Sequence, residues 1–254
     1  MATPAAPGAN SNPYGLMAAL EQGGTIAWTI FIILVIMSAA SWYIIFTKLI
    51  EQQKILNQFK RVRTSFWGTP TLRDGAAKLD KNSAYRQIVD DGLRAQDEHT
   101  KLIDPVDQHE WLLGSLSRSQ GAINSKLGNG LAVLATVGST SPFVGLLGTV
   151  IGIYRALVKI GASGQASIDA VAGPVGEALI MTAIGLVVAV PAVLGYNWLM
   201  RRNKVVSEQL AAFSTDLHGY MVSNGALKPA IAARPTNAPT PPLKTGSAAV
   251  NPKA

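Results

Sequence analysis

The sequence predicts an all-α membrane protein with three transmembrane helices and long helical extensions on one side of the bilayer. Hydrophobic residues make up 48% of the 254 residues, and the mean hydropathy is +0.23. Charged residues account for only 15%, against about 25% in soluble domains. Three apolar runs are each long enough for the roughly 30 Å hydrocarbon core, which takes about 20 helical residues.

These runs and the polar regions between them divide the chain. Trp28 lies near one end of the first run, and Trp42 and Tyr43 lie near the other, as expected of rings at the membrane borders. Asp104 and Pro105 form a helix-start signal in the polar region. The predicted divisions are a leader with a short interfacial helix at 1–24, transmembrane helices at 25–47, 130–154 and 173–199, a polar helical domain at 48–129, an outer loop at 155–172, a further helix at 200–226 and a disordered Pro-rich tail at 227–254.

The basic residues indicate the orientation. The regions 48–129 and 200–254 carry 20 of the 22 Lys and Arg residues. Basic flanks resist translocation, so the N-terminus is predicted outside and the C-terminus inside. The net charge of +7 is therefore attributed to membrane topology and not to a nucleic-acid surface.

The second run carries a stripe of small residues. At 100° per residue, its members fall close to one line on the helix and let a second helix approach. The third run repeats this pattern around Thr182 and Gly185, and Pro191 is predicted to kink it. Helix packing and a pore face remain alternative interpretations of these surfaces. In the second run, the residues close to this line are Gly138, Ser141, Gly145, Thr149, Gly152 and Ala156, and Gly148 forms a GxxxG pair with Gly152 at the edge of the stripe.

Glu177 is the one ionisable residue inside the three predicted spans. An acid within the hydrocarbon core costs about 2.5–3.5 kcal/mol or more, which favours a role in binding and releasing protons. It could instead be a solvated residue at the outer border, or a structural partner of Arg155 or Lys159. Thr182 lies five residues further on, about 140° around the helix, so the two cannot line one narrow wall of a straight helix.

Motifs for enzymatic chemistry are missing from the sequence. It has no Walker A loop, no HExxH and no dinucleotide-binding glycine pattern. Cys is absent, which excludes disulfides, thiolate metal sites and a cysteine nucleophile. We therefore expect a protein that is not an enzyme and that needs neither a cofactor nor a metal.

Two motifs carry a family resemblance. They read SPFVGLLGTVIGI at Ser141 to Ile153 and AGPVGEALIMTAIGLVVAVPAVLGYN at Ala172 to Asn197. With the order of the spans, they resemble the MotA/TolQ/ExbB proton-channel family, and most of all its ExbB branch. The resemblance covers nearly all of residues 13–222. The polar region before Gly128 has fewer arginines than the family pattern, and the leader and tail differ from it.

The resemblance implies a homo-pentameric ring in the bacterial inner membrane, with the N-terminus periplasmic and the C-terminus cytoplasmic. The ring would enclose helices of an ExbD-like single-span protein and act with a TonB-like protein, and proton flow would energise outer-membrane uptake of siderophores, haem or vitamin B12. Glu177 would be the intramembrane acid and Thr149 and Thr182 the pore-facing threonines, while an aspartate of the ExbD-like partner would be the main proton carrier. A TolQ-like role in the Tol-Pal envelope system and a scaffold without an ion path remain alternatives.

Overall fold

The structure is a computed structural model that describes residues 16–103, 106–163, 168–227 and 229. Its described elements are helical, which confirms the predicted all-α class. Three of the helices are long and apolar enough to cross a membrane. The helices are α1 (Leu16–Arg61), α2 (Leu72–Ala77), α3 (Ala84–His99), α4 (Gln108–Gly128), α5 (Leu131–Ser163) and α6 (Ile168–Val222), and a π-helical turn, Val62–Phe66, follows α1.

The first helix is interrupted once, near its start. Gly24 has φ 61° and ψ −154°, a backbone conformation that essentially only glycine adopts. The break separates a short helical segment, Leu16 to Gly23, from the long spanning part of α1. The interfacial helix predicted within the leader corresponds to this segment, and residues 1–15 of the leader lie outside the described part of the chain. Leu20 is only 1% exposed, so the segment packs against the rest of the protein.

The predicted loop at 155–172 is wrong over most of its length. Helix α5 continues to Ser163 and α6 begins at Ile168. The apolar run ends near Arg155, but no proline follows it before Pro174, so the helix need not end there. Arg155 also donates a hydrogen bond to the backbone carbonyl of Gly23, which gives its charged group a partner beyond the apolar run.

The helix that follows the third span is not separate from it. Helix α6 runs without a break for 55 residues, about 80 Å at 1.5 Å per residue. It ends at a turn in which Gly225 has φ +86° and its amide bonds the Tyr220 carbonyl at 2.9 Å. Most of the predicted tail lies outside the described residues.

The start of α4 also differs from the prediction. The helix begins at Gln108, after Asp107, and it ends at Gly128. Asp104 and Pro105, the predicted start signal, lie outside the described residues. Gly130, with φ +85°, then turns the chain into α5.

Two hydrophobic cores lie along α6. We call the first the membrane core; α1, α5 and α6 form it, and its members include Leu34, Leu134, Met181, Ala192 and Leu199. The second, the extension core, joins the end of α1 with α3, α4 and the last part of α6, and its members include Phe66, Tyr85, Leu116, Phe213 and Leu217. Since α6 contributes to both cores, it connects the membrane-spanning part with the polar part.

A buried polar network lies where the two cores meet. Gln52 is 0% exposed, and its Nε2 donates to the Leu199 carbonyl at 3.0 Å and to Asn203 Oδ1 at 2.6 Å. Asn203 Nδ2 in turn donates to the Leu127 carbonyl at 3.1 Å. These bonds hold α1, the end of α4 and α6 together, while Gln52 Oε1 is buried there without a hydrogen-bond partner.

Candidate functional site: the seam between α5 and α6

Helices α5 and α6 pack antiparallel along a seam of small residues. A Cβ added at Gly138 would lie 2.5 Å from Val193 Cγ2, and one added at Gly152 would lie 3.1 Å from the Ala178 Cβ. Residue numbers thus rise on one helix as they fall on the other. The predicted small faces of the two spans meet each other within one chain, as close helix approach in a membrane requires.

The closest approach is at Gly145 and Gly185. A Cβ on Gly145 would lie 2.6 Å from the Met181 carbonyl oxygen and 3.2 Å from the Gly185 Cα. A Cβ on Gly185 would lie 2.7 Å from the Ser141 carbonyl oxygen and 3.1 Å from the Gly145 Cα. These neighbours are backbone atoms, which cannot rotate away, so the seam at this level depends on glycine on both helices.

Gly148 lies on the edge of the same seam. Its added Cβ would meet the Met181 Cβ at 2.9 Å and approach Ile30 of α1 at 3.6 Å. Gly148 therefore lies where all three membrane-spanning helices come together. The GxxxG pair of Gly148 and Gly152 faces α6 and α1 inside the chain.

Thr149 and Thr182 are brought together in this seam. Their hydroxyl oxygens are hydrogen-bonded to each other, and either can be the donor. Thr149 Oγ1 is also 2.9 Å from the Ala178 carbonyl and 3.3 Å from the Gly145 carbonyl, both of which can only accept. A threonine hydroxyl in a helix commonly bonds a carbonyl one turn earlier, but here it also reaches the facing helix. The two hydroxyls form a polar site within an otherwise apolar interface.

Glu177 belongs to α6, in the turn that precedes Thr182. Its backbone is helical, and its neighbour Ala178 packs against Gly152. The Glu177 side chain lies outside what the structure describes, as does that of Lys159, so the predicted pairings of Glu177 stay predictions. Arg155, the other suggested partner, donates to the Gly23 carbonyl at the end of the N-terminal helical segment.

The prolines of the spans lie inside continuous helices. Pro191 and Pro174 lie within α6, and Pro142 lies within α5. The kink predicted at Pro191 stays a prediction, while Pro142 is a feature that the sequence reasoning missed although it is visible in the SPF motif. Each proline removes one backbone donor, so the carbonyl four residues earlier loses its usual partner.

The contact between Arg155 and Gly23 could not be found from sequence patterns. It joins residues 132 positions apart, and no local periodicity encodes such a pair. The Gly23–Gly24 pair was the one available signal, since glycine favours a helix end. A cation at the end of a helix also stabilises the carbonyls exposed there.

Metal binding has no support among the side chains that the structure describes. No group of three or more His, Asp or Glu residues in that part of the chain is arranged to hold a metal ion. The polar groups that the structure describes in the seam are hydroxyls, which donate and accept hydrogen bonds, and backbone carbonyls, which only accept them.

The fold and the seam define a multi-pass, all-α membrane protein with a hydroxyl pair between two spanning helices. Comparison with known proteins agrees with this class. Residues 80–212 match the family model of the MotA/TolQ/ExbB proton channel family. The chain is 40% identical over 213 residues to the biopolymer transport protein ExbB of Xanthomonas campestris pv. campestris (strain B100), covering 80% of this chain and 84% of that protein.

Two further relatives show how the similarity is distributed. Identity to the biopolymer transport protein ExbB of Neisseria gonorrhoeae is 35% over 209 residues, or 80% of this chain and 95% of that protein. Identity to the Tol-Pal system protein TolQ of Haemophilus influenzae is 33% over 212 residues, which cover 78% of this chain and 91% of that protein. The chain therefore belongs to the MotA/TolQ/ExbB proton channel family, and within it the chain is most like ExbB.

Proposed function

We propose that this chain is the ExbB-like subunit of a proton-driven motor in the bacterial inner membrane. As a homo-pentameric ring, it would surround helices of an ExbD-like single-span protein and act with a TonB-like protein. Proton flow would energise TonB-dependent uptake of siderophores, haem or vitamin B12 across the outer membrane. The chain would not itself be an enzyme. The observation that carries this proposal is the Thr149–Thr182 hydroxyl pair inside an apolar seam of a proton-channel family member.

The distribution of charge supports the proposed orientation. The ends of the spans near Lys48, Lys126 and Arg201 carry the basic flanks. The segment 155–172, between the second and third predicted spans, carries only Arg155 and Lys159. The N-terminus is therefore proposed to be periplasmic and the C-terminus cytoplasmic. In this orientation the hydroxyl pair lies on the outer side of the Gly145–Gly185 contact.

In the proposed mechanism, Glu177 binds and releases protons near the hydroxyl pair, and an acid on the ExbD-like helix carries them through the ring. Moving one charge through 100 mV is worth about 2.3 kcal/mol, which is comparable with the free-energy difference between two packed helix arrangements. Each proton would thus be able to shift the ring relative to the helices that it encloses.

Glu177→Gln tests the proposal. The variant keeps the size and polarity of the side chain but cannot ionise, so we expect siderophore uptake to be lost while the ring still assembles with its neighbour-encoded partner. The matched control is Glu208→Gln, which removes an exposed acid from the extension of the same helix and should leave uptake unchanged. Normal uptake in the Glu177→Gln strain would refute the proposed proton role.

A scaffold without an ion path makes a different prediction. Infrared spectroscopy of the assembled complex with isotope-labelled glutamate, compared with Glu177→Gln, reports the protonation of this carboxyl group. A change between pH 5 and pH 9 supports proton handling, whereas none favours the scaffold.

The TolQ-like role is a second candidate because the TolQ relative is 33% identical over nearly the same length. The two roles differ in their partners, and these are often encoded nearby. Adjacent genes for ExbD-like and TonB-like proteins would support the uptake role, while genes for TolR-like, TolA-like and TolB-like proteins would support the envelope role.

A further inference from the structure

Ser141 is buried in the α5–α6 seam without a hydrogen-bond partner. It is 0% exposed, and its Oγ makes no hydrogen bond in the part of the chain that the structure describes. The adjacent hydroxyls behave differently, since those of Ser139 and Thr140 donate to the Thr136 carbonyl at 3.0 and 2.7 Å. A buried hydroxyl without a partner costs about 1–3 kcal/mol, so alanine would pack here at lower cost.

A carbonyl acceptor lies one helical turn away. Pro142 has no amide hydrogen, so the carbonyl of Gly138 lacks its usual α-helical donor. Gly138 is on the same face of α5 as Ser141 and contacts Val193 of the facing helix. A free hydroxyl and a carbonyl without its regular donor therefore lie at one level of the seam.

This level is separated from the threonine pair by the closest helix contact. Ser141 precedes Thr149 by eight residues, about 12 Å along α5 towards its Leu131 end. Between them lie Gly145 and Gly185, whose backbones are in contact. The seam thus has an outer polar site with two hydroxyls and an inner polar site at Ser141, and a backbone contact keeps them apart.

We propose that Ser141 is a further proton-relay residue, used when α5 and α6 separate at the Gly145–Gly185 contact. The inference rests on the proposed proton-channel function. In the separated state, water enters between the two polar sites. Ser141 Oγ accepts a proton from a hydronium ion on the outer side while its own proton passes to a water molecule on the inner side, which becomes hydronium. One O–H bond forms and one breaks at Ser141, so the hydroxyl ends neutral. The closed contact prevents this transfer when the motor is at rest.

The test compares Ser141→Ala with Ser139→Ala in the complete complex with its ExbD-like and TonB-like partners. Proton flux into liposomes under an imposed membrane potential is measured together with the denaturant midpoint of unfolding. Ser141→Ala should lower the flux roughly tenfold, since one hydrogen-bonding group in the path is lost. Its unfolding midpoint should stay the same or rise, because the unpartnered hydroxyl is removed. Ser139→Ala should conduct like the wild type.

Two results would overturn the relay. Wild-type flux in Ser141→Ala would show that protons do not use this hydroxyl, and a fall in both flux and stability would show that Ser141 acts only through packing. Failure of the proposed function looks different, because the wild-type complex would then conduct no protons under the same conditions.

Discussion

Gly145→Ala is the substitution whose effect the structure specifies most closely. The new Cβ would lie 2.6 Å from the Met181 carbonyl oxygen, whereas ordinary contact begins at 3.4 Å. The helices would have to separate by about 0.8 Å at this level, and a gap of 0.5–1 Å already forfeits a quarter to a half of each van der Waals contact. We therefore expect the free energy of unfolding to fall by about 1–3 kcal/mol, as for other overpacked sites.

Gly161→Ala is the matched control. It lies on the same helix, and nothing is within 4 Å of its added Cβ. Replacing glycine by alanine favours the helix by up to about 1 kcal/mol at both positions. The difference in unfolding free energy between the two variants therefore measures the steric effect alone. Unfolding by SDS in detergent micelles, followed by tryptophan fluorescence, measures both. Equal midpoints for the two variants would refute the packing of α5 on α6 described above.

Two further predictions concern buried polar groups outside the seam. Burial raises the pKa of Tyr85, so the folded protein keeps this phenol neutral while the unfolded chain ionises it above pH of about 10, and stability falls there as pH rises. Tyr85→Phe should remove that part of the alkaline loss of stability and raise the free energy of unfolding by about 1 kcal/mol at pH 7, because a buried hydroxyl without a partner is removed. Denaturant unfolding at pH 7 and 10.5 measures both effects, with the exposed Tyr154→Phe as the control. An unchanged pH profile in Tyr85→Phe would contradict the raised pKa of Tyr85. Gln52→Leu should lower the free energy of unfolding by about 1–3 kcal/mol, because Asn203 Oδ1 is left without its donor. Gln53→Leu, which removes an exposed hydrogen bond to Arg202, should lower it by less than about 1 kcal/mol. Equal unfolding midpoints for these two variants would count against the buried network.

The sequence was sufficient for the all-α class, the three apolar helices and the family, because each depends on composition, length or a long motif. It also located the two small-residue faces, since helical periodicity follows directly from residue spacing. Periodicity does not say which surface a face meets. That Gly145 meets Gly185, and that Thr149 reaches Thr182, depends on the register between two helices and required the structure.

Helix ends were the least predictable feature. The prediction ended the second span at 154, where the apolar run stops, but the helix continues to Ser163. Hydropathy marks where a helix would leave the hydrocarbon core, whereas its end depends on breakers and on partners for the last carbonyls. For the same reason, the third span and the helix after it are one element, α6.

The continuity of α6 has a mechanical consequence for the proposed motor. The helix contributes Met181 and Leu199 to the membrane core and Leu210 and Leu217 to the extension core. Between them, Asn203 is bonded to α1 and to the end of α4. A shift of α6 that opens the seam is therefore expected to reach the extension core as well, because α6 is continuous and its side chains are packed in both cores. Opening and closing of the seam would thus be transmitted along α6 to the polar end of the protein.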